Sequence, residues 1–122
     1  MRKEKDKRAM MPVSINTAEH YNWGNRCDGW HLSTSDTLSV IEELVPPGCS
    51  ETKHFHGRSE QFFYVLSGEA AMEIEEETYR LAPGEGINVP PGKTHRLFND
   101  GTEDLRFLVV STPPSHGDRF EG

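Results

Sequence analysis

Only two cysteines, Cys27 and Cys49, stand in the 122 residues. They form no CxxC pair and no framework of the kind that staples small secreted domains, so they read as two reduced thiols, at least one of them buried. Positive charge is scarce too. Thirteen Lys and Arg face twenty Asp and Glu, a net charge of −7, which disfavours nucleic acid and anionic membrane surfaces as partners. No apolar run is long enough to span a bilayer, and the head of the chain, MRKEKDKRAMMP, lacks the apolar core of a secretory leader. Its mixed charges read as a solvated terminus, so residues 1–12 are expected to be disordered and the protein to reside in the cytoplasm.

Helix signals are also missing. The best candidate, IEELV, runs straight into Pro46-Pro47, and the Ser39-Val40-Ile41 before it favours strand. What is present is a series of short strand-like segments: TLSVIEELV, QFFYVLSG, AAMEIEE, TYRLA, GINV, HRLFN and LRFLVVS. Turn signals separate them, among them Pro46-Pro47-Gly48, Pro83-Gly84, Pro90-Pro91-Gly92 and Asn99-Asp100-Gly101. Residues 18–34, with both tryptophans, lead into a first or edge strand. A hydrophobic content of 34 % is low for a helical bundle and workable for a small all-β domain that alternates buried and exposed positions. The length suits one domain.

Two of the six histidines, His54 and His56, stand one residue apart. On a strand such residues share a face, with Cα atoms roughly 6–7 Å apart. Two imidazoles at that spacing can converge on one metal ion, although HxH alone is weak evidence and a pair of ordinary surface or core histidines is the simpler explanation of it. In QFFYVLSG, Gln61, Phe63 and Val65 share one face, while Phe62, Tyr64 and Leu66 share the other. Tyr64 and, by the same parity beside His95, Arg96 point away from any common site. His20 and His116 read as surface residues; His31 could line the cavity of such a site as a proton shuttle but reads first as a surface or hydrogen-bonded strand residue, and Met72 and Phe107 could line it but read first as core. Lys53, Arg58 and Lys93 lie where they would attract an anion if they flanked a mouth, though exposed charges of this kind are ordinarily just solvated.

The wider spacing carries more. Gly48, His54, His56, Gln61 and Gly68 are followed by Gly84, Pro90, Gly92, His95 and Asn99. This pattern resembles the two motifs of the cupin superfamily in its small single-domain bacterial form, G-x5-H-x-H-x3-4-E-x6-G and G-x5-P-x-G-x2-H-x3-N. The second is matched at every fixed position. The first departs at one: Gln61 stands where the family usually has Glu. Leaving the motif's six-residue spacer before Gly68 lands on Gln61, whereas Glu60 would take the place only through a local bulge.

The resemblance implies an all-β double-stranded β-helix, a jelly-roll barrel over residues 13–112 with a C-terminal tail at 113–122. It implies a divalent transition metal (Zn, Fe, Mn, Ni or Cu) held by His54, His56, Gln61 and His95, with Glu60 as the competing fourth ligand. It implies a small-molecule metalloenzyme, dioxygenase-like or an isomerase or decarboxylase acting on a small organic acid or enol; a binding or sensing module without turnover is the alternative. Single-domain cupins are usually homodimers, and the outward Phe62, Tyr64 and Leu66 suit a covered face. An amide oxygen in place of carboxylate would leave the ion's full +2 charge and remove a ligand able to act as a base. Asn99 reads as a turn residue before Asp100-Gly101 as readily as a site residue.

Overall fold

The computed structural model describes residues 10–122, so the expected disordered start falls largely outside the described residues. Eleven strands follow one another: β1 (Glu19–Trp23), β2 (Cys27–Thr34), β3 (Ser39–Val45), β4 (His54–Phe55), β5 (Glu60–Ser67), β6 (Ala70–Ile74), β7 (Glu77–Leu81), β8 (Gly86–Val89), β9 (His95–Phe98), β10 (Leu105–Thr112) and β11 (Phe120–Glu121). Every segment expected to be a strand is one, and among the described residues there is no helix, hence none that could cross a membrane.

The strands form two antiparallel sheets, a six-stranded one in the order β1-β2-β3-β10-β5-β8 and a five-stranded one in the order β11-β4-β9-β6-β7. After the β1-β2-β3 meander the chain passes back and forth between the sheets from β3 to β11, apart from the β6–β7 hairpin, which is the winding of a double-stranded β-helix. The alternation in β5 shows why these residues choose this arrangement. Gln61, Phe63 and Val65 are buried while Phe62, Tyr64 and Leu66 are exposed. Phe63, Val65, Met72, Leu97, Leu105, Phe107 and Val109 meet between the sheets, where fully burying each side chain contributes about 1.5–3 kcal/mol.

Gly48 and Gly84, each following a proline, turn the chain with φ of +81° and +85°, a region closed to most side chains. Asn99 proves structural. Its Nδ2 donates to the carbonyls of Val45 and Glu103, and its Oδ1 accepts from the Gly101 amide, so it ties the β9–β10 turn to the end of β3. Cys27 and Cys49 are both buried and unbridged, and burial pushes the Cys27 thiol up to about 11. The C-terminal segment is docked: Phe120 pairs with Phe55 across β11 and β4, and their rings stack 5.2 Å apart.

Candidate metal centre

His54 of β4 lies directly opposite His95 of β9 in the strand ladder. His56 follows two residues on, just past the end of β4, where its carbonyl accepts from the Gly92 amide at 2.7 Å. The Pro90-Pro91-Gly92 turn therefore anchors one histidine while it delivers another to the start of β9. The three rings stand with centroids 4.4 to 5.5 Å apart, and one nitrogen from each lies within 4.8 Å of the other two. Gln61 enters from the opposite sheet, buried at the head of β5.

Hydrogen bonds fix which nitrogen each histidine offers. Nδ1 of His54 donates to the Thr52 carbonyl at 2.7 Å, Nδ1 of His56 to the Asp118 carbonyl at 2.7 Å, and Nδ1 of His95 to the Lys93 carbonyl at 3.0 Å. A backbone carbonyl only accepts, so the proton must sit on Nδ1 and the Nε2 lone pair is left free. Nε2 of His56, Nε2 of His95 and Oε1 of Gln61 are buried with no hydrogen-bond partner among the described residues. Gln61 spends its Nε2 on the Ser111 hydroxyl at 2.9 Å, which turns Oε1 toward the histidines' cavity. Three orphaned acceptors beside a free His54 nitrogen are what a cation would satisfy and what an ordinary core would not tolerate. Burial also holds His54 down to about 3 and lowers His95, keeping both neutral as ligands must be. The residues fit a divalent transition metal.

Glu60 points the other way. It is exposed, and its Oε2 accepts from Asn88 Nδ2 at 2.8 Å. The bulge between β5 and β10 falls at Arg106 and Phe107, remote from Glu60. His31 packs its ring, tilted, against Tyr21 at 4.8 Å and does not line the cavity. Arg96 lies over the Phe98 ring and pairs with Glu73, which also takes Lys53 at 3.9 Å.

The cavity over the histidines measures about 150 Å³, walled by Ile41, Phe63 and Val109 and by the polar Tyr21, Glu43, Glu51, Ser111, Ser115 and Arg119. Lys53, Arg58 and Lys93 are absent from its walls; Arg119 of the C-terminal segment is the cation there. The Tyr21 hydroxyl donates to Glu43 Oε2 at 2.8 Å, and Glu51 Oε1 accepts from the Leu97 amide at 2.9 Å. Burial pushes Glu43 up to about 7 against the opposing pull of Tyr21 and Arg119. Burial, reinforced by Glu43's charge, pushes Glu51 up to about 8. Tyr21, desolvated and beside Glu43, is raised and stays a donor. Sequence reasoning missed all four. Glu43 was within reach, since Ile41, Glu43 and Val45 share the parity of the inner face; Arg119 carried no local signal at all.

Two sheets closing on a three-histidine pocket define a cupin barrel, and the chain belongs to the cupin domain family, whose model matches residues 41–111. It is similar to an uncharacterized protein of Methanocaldococcus jannaschii, 36 % identical over 81 residues that cover 66 % of this chain and 65 % of that protein. It is also similar to the tetracenomycin polyketide synthase protein TcmJ of Streptomyces glaucescens, 32 % identical over 66 % of this chain and 53 % of the relative. The matched stretch thus spans between half and two thirds of each relative. Among solved structures, the polyketide cyclase RemF of Streptomyces resistomycificus superposes with a TM-score of 0.80 at 24 % identity, over 92 % of this chain and 84 % of that one.

Proposed function

We propose that His54, His56, His95 and Gln61 hold one divalent transition ion, and that the centre catalyses proton transfer on a small enolisable carbonyl compound or organic acid. The observation that supports this most is the pairing, in one cavity, of unpartnered ligand atoms with the carboxyl group of Glu43. A bound ion of this kind supplies Lewis-acid polarisation of a carbonyl or carboxylate oxygen. Glu43 accepts the proton from the carbon next to that group and returns it, its carboxylate lining the same cavity as the ligand atoms. Tyr21 fixes the orientation of the Glu43 carboxylate through its hydroxyl. Arg119 faces the negative end of the ligand, and Ile41, Phe63 and Val109 limit water.

A cavity of about 150 Å³ is well below the roughly 300 Å³ at which drug-sized sites begin, so it suits a few carbon atoms or one end of a longer molecule. The polyketide synthase protein and the polyketide cyclase among its relatives support an enolisable substrate. Isomerisation, ring closure and decarboxylation are the reactions favoured by a carboxyl base. The test is deuterium exchange at the central carbon of acetylacetone or 1,3-cyclohexanedione by zinc-loaded protein, alongside oxygen uptake by iron-loaded protein. Exchange that Glu43→Gln removes is the expected result. Saturable binding without exchange would instead make this a ligand-binding module.

The net charge argues against nucleic acid and membrane partners, and Phe62, Tyr64 and Leu66, each 37–40 % exposed, support a homodimer formed through the outer face of β5.

A further inference from the structure

The three histidines are not held alike. His54 and His95 each donate to a carbonyl two residues back in their own strand turn. His56 donates to the carbonyl of Asp118, 62 residues away in the C-terminal segment. The Asp118 side chain, 5 % exposed, then gathers the loop that follows His56. Its Oδ1 accepts from the Gly57 amide at 2.9 Å, and its Oδ2 from the Arg58 and Ser59 amides at 2.8 and 2.9 Å. Those amides hold the carboxyl below its ordinary range, Arg58 and Ser59 contributing most. Ser59 closes the loop by donating from Oγ to the Pro113 carbonyl at 2.6 Å. Two residues after Ser59 comes Gln61.

We propose that residues 113–122 form a clasp that builds the metal centre, with Asp118 as its positioning residue. Its carbonyl sets the tautomer and tilt of His56, while its carboxylate fixes the loop 57–59 that spaces His56 from Gln61. One residue thereby governs two of the four ligands, one from each sheet. The clasp is anchored before Asp118 by the Ser59–Pro113 bond and after it at three further points. Arg119 Nη2 donates to the Thr52 hydroxyl at 2.8 Å, Phe120 stacks on Phe55, and the Gly122 amide donates to the Lys53 carbonyl at 3.1 Å. Groups that orient a metal-bound histidine typically change metal affinity by about 10–100-fold when removed. The inference rests on the metal-site reading above, and cobalt separates the two.

The experiment titrates Co(II) into metal-free full-length protein and follows the visible ligand-field bands, with affinity set by competition against a chromophoric chelator. Wild type is expected to bind one Co(II). Asp118→Ala is expected to bind it about 10–100-fold more weakly with an altered band pattern, and Asp118→Asn, which keeps an acceptor oxygen and the shape, to recover part of the loss. If wild type gives no bands, the metal reading itself fails and the clasp falls with it. Wild-type bands with unchanged affinity and spectrum in Asp118→Ala overturn the clasp alone. Should Asp118→Ala fail to fold, hydrogen exchange on wild type decides: because coupling is reciprocal, Zn(II) should slow exchange of the Gly57, Arg58 and Ser59 amides, and no slowing overturns the proposal.

Discussion

Raising the pH of the metal-free protein from 6.5 to 8 should destabilise it. Glu43 and Glu51 rest at about 7 and 8 in the fold, against an ordinary 4.5. A carboxyl whose pKa is raised by folding binds its proton more tightly in the native state. Its contribution is complete below about pH 4.5 and is lost as pH climbs through the folded value. Opposing it are His54, lowered to about 3, and His95, also lowered. Their neutral folded forms add a contribution present above about pH 6.5 and lost as pH falls. The two effects roughly offset between pH 4.5 and 6.5, leaving only the carboxyls to act above that range. At about 1.36 kcal/mol per pH unit for each group still titrating differently, the loss from pH 6.5 to 8 is at most about 3 kcal/mol. Both carboxyls keep part of their surface open, and solvent screening trims that figure. Urea unfolding of chelator-treated protein at pH 6.5, 7.2 and 8 measures it through the midpoint. Glu51→Gln should remove most of the slope, and saturating Zn(II) should flatten it, because a nearby +2 charge keeps both carboxylates ionised. A metal-free midpoint that stays level or rises across this range refutes the reasoning.

Three further outcomes follow from the same geometry. Gln61→Glu replaces an amide oxygen with a carboxylate and should tighten divalent metal binding at least about tenfold, near 1.4 kcal/mol; equal affinity in chelator competition counts against Gln61 as a ligand. Leu97→Ala, at a side chain only 1 % exposed, should cost about 2–5 kcal/mol in urea unfolding, and a cost below 1 kcal/mol would contradict its place between the sheets. Light scattering should give twice the monomer mass for wild type and a shift toward monomer for Tyr64→Lys, with a strictly monomeric wild type ruling out the β5 interface.

The barrel was legible because its information is local. Period-two alternation fixed the inward face of β5, and Pro-Gly pairs marked the turns that Gly48 and Gly84 make with positive φ. The histidines and Gln61 were legible because their spacing matches a family pattern and their parity directs them inward. The cavity's acid–base groups were not. Glu43 lies in a segment that looks like a charged, half-exposed strand, and its burial depends on what the opposite sheet and the C-terminal segment place over it. Glu51 falls at one of the five unspecified positions between Gly48 and His54. Asp118 and Arg119 reach the site through a C-terminal segment whose docking, Phe120 on Phe55 among its contacts, spans some 65 residues that no periodicity announces.

X-ray absorption on protein loaded with one equivalent of Zn(II) tests the central claim most directly. Three imidazole nitrogens at about 2.0–2.1 Å with oxygen completing the shell, reduced to two imidazoles or to no bound ion in His95→Ala, is the predicted result. An ion bound without imidazole, or a shell unchanged by removing His95, would contradict the account.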